Sequence, residues 1–134
     1  MRSLVLMTLA AFSVAGPAHA ARIEPEDVIA KALDGRVVGK ATSCINQRQI
    51  RSTQIVDRTA ILYSMNNGTV YLNRPRSGGA FLRNDVALVT RSPTSQLCDV
   101  DIVSLYDTAS QTERGSVGLG DFIPYDKPRR LRGD

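Results

Sequence analysis

The sequence predicts a mainly β domain, a small antiparallel barrel or curled sheet of about five to six strands, entered through one short N-terminal helix. Three observations predict it. Asn67-Gly68 stands between two apolar runs, the strongest short hairpin signal a sequence can carry. Further apolar, β-branched runs follow at close spacing, separated by Gly, Pro and Ser clusters. Ahead of them, Val28, Ile29, Ala32 and Leu33 recur at helical spacing.

The helix is bounded on both sides. Glu24-Pro25-Glu26-Asp27 places acidic residues in the first turn, where the helix dipole favours them. Lys31 falls in the last turn and Gly35 follows as a stop. From Val37 onward the texture is β. In Thr59–Asn73 a two-residue loop at Asn67-Gly68 would pair Met65 with Val70 and Tyr63 with Leu72. Ile61, Tyr63, Met65, Val70 and Leu72 would then share one apolar face, suited to a sheet packed on one side. Other strands read as Gln47–Val56, Asp85–Arg91, Ile102–Asp107 and Val117–Ile123. Arg74–Gly79 and Thr108–Gly115 read as loops, and Ser92–Ser95 as a turn.

Residues 1–20 read as a secretory signal peptide. Arg2 supplies the charged start, Leu4 to Val14 the apolar middle, and Ala18-His19-Ala20 a small-x-small exit before Ala21. The apolar run is shorter than the roughly 20 residues that span a bilayer, and no other segment approaches that length. The domains are therefore a leader at 1–20, one β-rich domain at 21–125 and a basic, disordered tail at 126–134. The expected location is the periplasm. Cleavage after Ala20 removes the only histidine, which excludes imidazole catalysis and His-ligated metal sites from the mature chain. No cofactor motif is present.

Cys44 and Cys98 are then the two cysteines of an exported protein, where a disulfide is the default. Closing a loop of about 55 residues stabilises by roughly 4 kcal/mol in the chain-entropy account. The rival reading is a pair of free thiols, with no Cys-x-x-Cys spacing to support a redox site.

Charge is unevenly spread. Segment 48–91 carries seven arginines against Asp57 and Asp85, a net of +5. Segment 99–126 carries six acidic residues against Arg114, a net of −5. Either the two neutralise each other within the fold or the first presents a basic face to an anionic partner. Arg74 and Arg76, on a loop stiffened by Pro75, and Arg83 beyond it are the candidate anion ligands, because a guanidinium fork matches phosphate and carboxylate. An anionic envelope component is the partner this implies. Six mature-chain aromatics are too few for the stacking platform of single-strand binders, so nucleic acid is not expected.

Asp99 and Asp101, flanking Val100, are the one tempting carboxylate pair. They read as an acid–base pair of a small hydrolase or lyase, or as a solvated turn. Gly115, Gly118 and Gly120 match neither the dinucleotide fingerprint nor the P-loop and read as a bulge or tight corner. Asn67-Gly68-Thr69 is formally a glycosylation sequon that the hairpin turn already explains, and the terminal Arg132-Gly133-Asp134 reads as a chance match to an integrin ligand.

Several strings together resemble one family: Cys44-Ile45, Arg48-Gln49-Ile50-Arg51-Ser52-Thr53, Gln96-Leu97-Cys98, Asp101-Ile102-Val103 and Gly118 through Tyr125. The resemblance is to small exported proteins of sphingomonad-like alphaproteobacteria, grouped only as a domain of unknown function, and it covers about Lys40 to Tyr125. It implies no activity and no catalytic residues. Many members carry further cysteines near the positions of Gly78-Gly79 and Val117, which this chain lacks.

Expressed as the full chain in a Gram-negative host, the protein is expected in the periplasmic fraction with Ala21 at its N-terminus. Intact mass and N-terminal sequencing check this, and retention of residues 1–20 contradicts it.

Overall fold

A computed structural model describes Gly16 and residues 21–130 of the chain. The leader read at 1–20 therefore lies almost wholly outside the described residues, as does the terminal Arg132-Gly133-Asp134. The fold is mainly β with a single α-helix among the described residues. The strands lie in antiparallel sheets, none of which closes into a barrel.

The helix, α1 (Pro25–Leu33), forms where the spacing puts it. Pro25 opens it at a position where its missing N–H costs nothing, and Gly35 follows its end with a φ of +68°. Next come β1 (Val37–Val38), β2 (Cys44–Asn46), a 3₁₀ turn at Gln47–Gln49, β3 (Ile50–Val56), β4 (Ala60–Met65) and β5 (Val70–Asn73). A second 3₁₀ turn at Gly79–Phe81 leads to β6 (Val86–Thr90), β7 (Gln96–Cys98), β8 (Ile102–Asp107), β9 (Thr112–Gly118) and β10 (Phe122–Asp126). These ten strands exceed the five to six expected, largely because β1, β2 and β7 are only two or three residues long.

A five-stranded sheet in the order β1-β10-β5-β4-β3 forms the middle layer. One face packs on the three-stranded sheet β6-β8-β9 and the pair β2-β7, burying Ile61, Tyr63, Met65 and Phe122 against Leu97, Val103, Leu105 and Val117. The other face lies under α1, with Ile29 buried against Val56, Ala60, Leu62, Val70 and Leu72.

This two-sided burial corrects the expected hairpin. The loop is Asn66-Asn67-Gly68, three residues rather than two, closed by Gly68 N–H donating to the Met65 carbonyl at 3.0 Å and Met65 N–H to the Thr69 carbonyl at 2.8 Å. Gly68 takes a φ of +91°, whereas Asn67 stays out of the left-handed region that a type I′ turn needs at both positions. The register is therefore Ser64 to Val70, Tyr63 to Tyr71 and Leu62 to Leu72. A one-residue slip exchanges faces along a strand. Val70 and Leu72 accordingly join Leu62 under the helix, and Tyr71 joins Tyr63 on the other face.

Four further boundaries differ. The expected strand Gln47–Val56 starts only at Ile50, after the 3₁₀ turn at Gln47–Gln49. The expected strand Val117–Ile123 is split between β9 and β10 by a corner at Leu119–Asp121. There the buried Asn73 side chain imitates a strand pair, donating to the Gly120 carbonyl at 2.6 Å and accepting from Gly120 N–H at 3.0 Å. A Cβ at Gly120 would stand 2.3 Å from the Arg74 carbonyl oxygen, so only glycine fits. The expected loop Thr108–Gly115 is only four residues long, because β9 starts at Thr112. Asp126, assigned to the tail, is the last residue of β10, paired with Val37 and accepting from the Thr69 hydroxyl.

Cys44 and Cys98 are disulfide-bonded and directly opposite each other across β2 and β7. Asp99 N–H bonds to the Ser43 carbonyl and Gln47 N–H to the Ser95 carbonyl, so the cysteines occupy a non-hydrogen-bonded pair, where strands approach most closely. Their Cα separation of 4.0 Å reflects that position.

Asn73→Ala is expected to cost about 2–4 kcal/mol, since it strands the buried N–H and carbonyl of Gly120. Tyr63→Phe is expected to change stability by less than about 1 kcal/mol, because the buried Tyr63 hydroxyl has no partner among the described residues. Urea unfolding of both variants checks the contrast.

Candidate functional site

The candidate arginines are all exposed and all engaged. Arg74, directly after β5, forms a two-pronged pair with Glu26 of α1, each contact 2.9 Å. That bond, with the charge of the guanidinium, holds the Glu26 carboxyl below its ordinary range. Arg76 lies between two carboxylates, 3.3 Å from Asp99 Oδ2 and 3.2 Å from Asp121 Oδ1. Arg83 forks onto Asp85 at 3.0 and 3.2 Å and lowers that carboxyl's pKa.

Arg83 does not share a site with Arg74 or Arg76. It lines a cleft of about 350 Å³ with Phe81, Asp85, Val86, Asp107 and Arg114. The cleft is built by three local features. The 3₁₀ turn at Gly79–Phe81 presents Phe81, which remains 54% exposed while its ring covers Gly115. The pairing of Val86 with Asp107 brings β6 alongside the end of β8. A bulge in β9, where Tyr106 pairs with Glu113 but Leu105 with Gly115, leaves Arg114 as the extra residue and aims it at Asp107. Arg114 Nε and Nη2 reach Asp107 Oδ2 at 3.0 and 2.6 Å.

Asp107 is the most strongly perturbed carboxyl of the cleft. Backbone N–H donation from Ser110, the Arg114 guanidinium and a second backbone donor, Ala109, depress its pKa to about 2. Arg114 was not singled out from the sequence. Its only signal was its isolation as the one base of the acidic segment, and the bulge that presents it depends on strand pairing.

Asp99 and Asp101 occupy the turn between β7 and β8. Asp101 Oδ2 accepts the Cys98 N–H at 2.7 Å, and its backbone closes the turn by N–H donation to the Cys98 carbonyl at 3.0 Å. Asp99 receives Arg76 instead. The two carboxyls thus serve different partners. Gly115 falls at the bulge and Gly120 at the corner, as their spacing implied. Among the described residues no three His, Cys, Asp or Glu side chains gather into a metal site, and no helix is long and apolar enough to cross a membrane.

Among the described residues the ion pairs that join the opposed charge segments are those of Arg76 with Asp99 and Asp121. Among the described residues Arg48, Arg51, Arg58 and Arg91 form no ion pair.

A scan against protein-family models and searches of curated proteins and of solved structures each find no match to this chain.

The depressed pKa of Asp107 stabilises the fold above the ordinary aspartate value of 3.8, and this contribution is lost as pH falls through about 2. Asp107→Asn is therefore expected to lower the denaturation midpoint at neutral pH, with the difference from wild type shrinking toward pH 2. An equal difference at both pH values contradicts the assignment.

Proposed function

We propose that this protein is an exported, periplasmic interaction module that works without catalysis and engages an anionic envelope component. We place it with the small exported proteins of unknown function that its sequence resembles. The observation that carries the reading is the presence of Arg83 and Arg114 in one cleft beside an exposed aromatic ring. Both are well exposed, at 68% and 59% of the side chain. The Arg83–Asp85 pair is exposed on both sides, and such pairs are worth about 0–1 kcal/mol, so a phosphate or carboxylate on a partner competes with Asp85 at small cost. The guanidinium fork keeps its geometric match to either anion.

The competing reading, a carboxylate-dependent hydrolase or lyase, needs two free carboxyls facing one substrate. Asp99 and Asp101 are committed to an ion pair and to a turn hydrogen bond, which favours the binding module.

The test is a titration against lipopolysaccharide, anionic glycans and anionic lipid vesicles at low and high salt. Binding is expected at low salt and is expected to weaken as the screening length falls below about 8 Å. Joint replacement of Arg83 and Arg114 by Ser should lower affinity about tenfold or more, and joint replacement of Arg74 and Arg76 should lower it less. Absence of binding to all three at low salt overturns the proposal.

A further inference from the structure

The middle sheet has an open edge beside an apolar groove, with excess positive charge at one end. Among the described residues β3 is the outermost strand and pairs only with β4. Its residues Arg51, Ser52, Thr53 and Gln54 are all exposed. Among the described residues, no backbone group of 51–55 bonds to anything outside the sheet. An antiparallel edge strand turns alternate N–H and C=O groups outward, so this edge carries a row of donors and acceptors facing solvent.

Edges of this kind are usually blunted by proline, by inward charge or by a covering element. β3 has no proline, and its one irregularity is a bulge confined to Ile50–Ser52, which leaves Ser52–Ile55 regular. α1 packs on one face of the sheet, and Arg51–Gln54 stay exposed beside it. Between helix and strand runs a groove of about 570 Å³ lined by Ile23, Asp27, Val28, Lys31, Ala32 and Gln54. It continues past Gln54 into a second hollow reaching Val56 and Asp57. Ile23 is 75% exposed at the groove's rim. Asp27 and Lys31 bring one charge of each sign to it, so its floor is electrically balanced.

One end is not balanced. Arg48 and Arg51 stand before and at the start of β3, both exposed and without ion pairs among the described residues. At the other end Arg58 is matched by the neighbouring Asp57, whose carboxylate accepts the Asn84 N–H at 2.7 Å and keeps its charge.

We infer that the β3 edge and the α1 groove form a strand-addition site for an extended peptide segment of a partner protein, apolar at alternate positions and acidic at the end that meets Arg48 and Arg51. Main-chain hydrogen bonds to Ser52–Ile55 supply the register, and the groove takes the side chains of one face. Arg48 and Arg51 select the acidic flank and guide the encounter. The site rests on the reading of this protein as an interaction module, but not on the Arg83–Arg114 cleft.

The probe is a fluorescein-labelled peptide of about seven residues, alternating valine and threonine between terminal glutamates, a length matched to one strand. Fluorescence anisotropy is expected to show saturable binding to the purified protein. The amides of 51–55 are expected to shift in NMR spectra and gain exchange protection. The same peptide N-methylated at alternate residues should bind about tenfold or more weakly, since it cannot complete the ladder. Arg48→Glu with Arg51→Glu, both at exposed positions, should weaken the glutamate-ended peptide and strengthen a lysine-ended one. Four results each overturn the inference: no binding, equal binding of the N-methylated peptide, amide shifts confined to the Arg83–Arg114 cleft, or a protein dimer that buries β3 in the absence of peptide. A failed peptide titration leaves the envelope-anion titration untouched, so the two proposals fail separately.

Discussion

Gly68 holds a φ of +91° at the end of a three-residue loop, and the layering of the molecule depends on it. A right-handed residue there would resist the loop, and a two-residue loop would move β5 by one place against β4. With the observed register, β4 is buried on both sides. Ile61, Tyr63 and Met65 serve the β-on-β core, while Ala60 and Leu62 serve the core beneath the helix. Val70 and Leu72 complete the second core and give Ile29 of α1 a surface to pack on. The position of the helix, and of the groove beside β3, follows from that turn.

The fold also depends on polar groups being matched where strands end. Asn73 is fully buried, yet its amide satisfies both backbone groups of Gly120 and so joins β5 to the corner before β10. Arg36 does similar work on the helix side, donating to the carbonyls of Gly68 and Tyr125 and tying the segment after α1 to the hairpin loop. The disulfide fixes the short β2-β7 pair, whose three residue pairs would hold weakly alone. By contrast, the buried Tyr63 hydroxyl has no partner among the described residues, and its pKa is raised by desolvation. Its ring contributes through packing, tilted against Phe122 at a centroid distance of 5.8 Å.

Charge is arranged in two manners. Arg74, Arg76, Arg83 and Arg114 each sit against carboxylates, and Arg74 and Arg76 join segments distant in sequence. Arg48 and Arg51 border an open strand edge and have no such partner among the described residues. The first group is held in place and competes for anions only by exchange. The second is uncommitted, which suits it to steering an acidic partner.

The sequence by itself determined the mainly β class, the helix and its boundaries, the hairpin's location, the cysteine pair and the role of the glycines near 115–120. Each rests on local chemistry: apolar periodicity, proline and glycine geometry, or the scarcity of cysteine. Only the tertiary structure decided the hairpin register, because a two-residue and a three-residue loop are both compatible with Asn66-Asn67-Gly68 and differ through strand packing on two faces. Only it could match the arginines to their carboxylates. Glu26 lies 48 residues from Arg74 and Asp121 lies 45 from Arg76, and no local rule links such positions. It likewise divided the expected site, putting Arg83 with Arg114 and leaving Arg74 and Arg76 elsewhere. A cleft and an open edge belong to the assembly of strands, and pairing across the chain, not residue type, creates them.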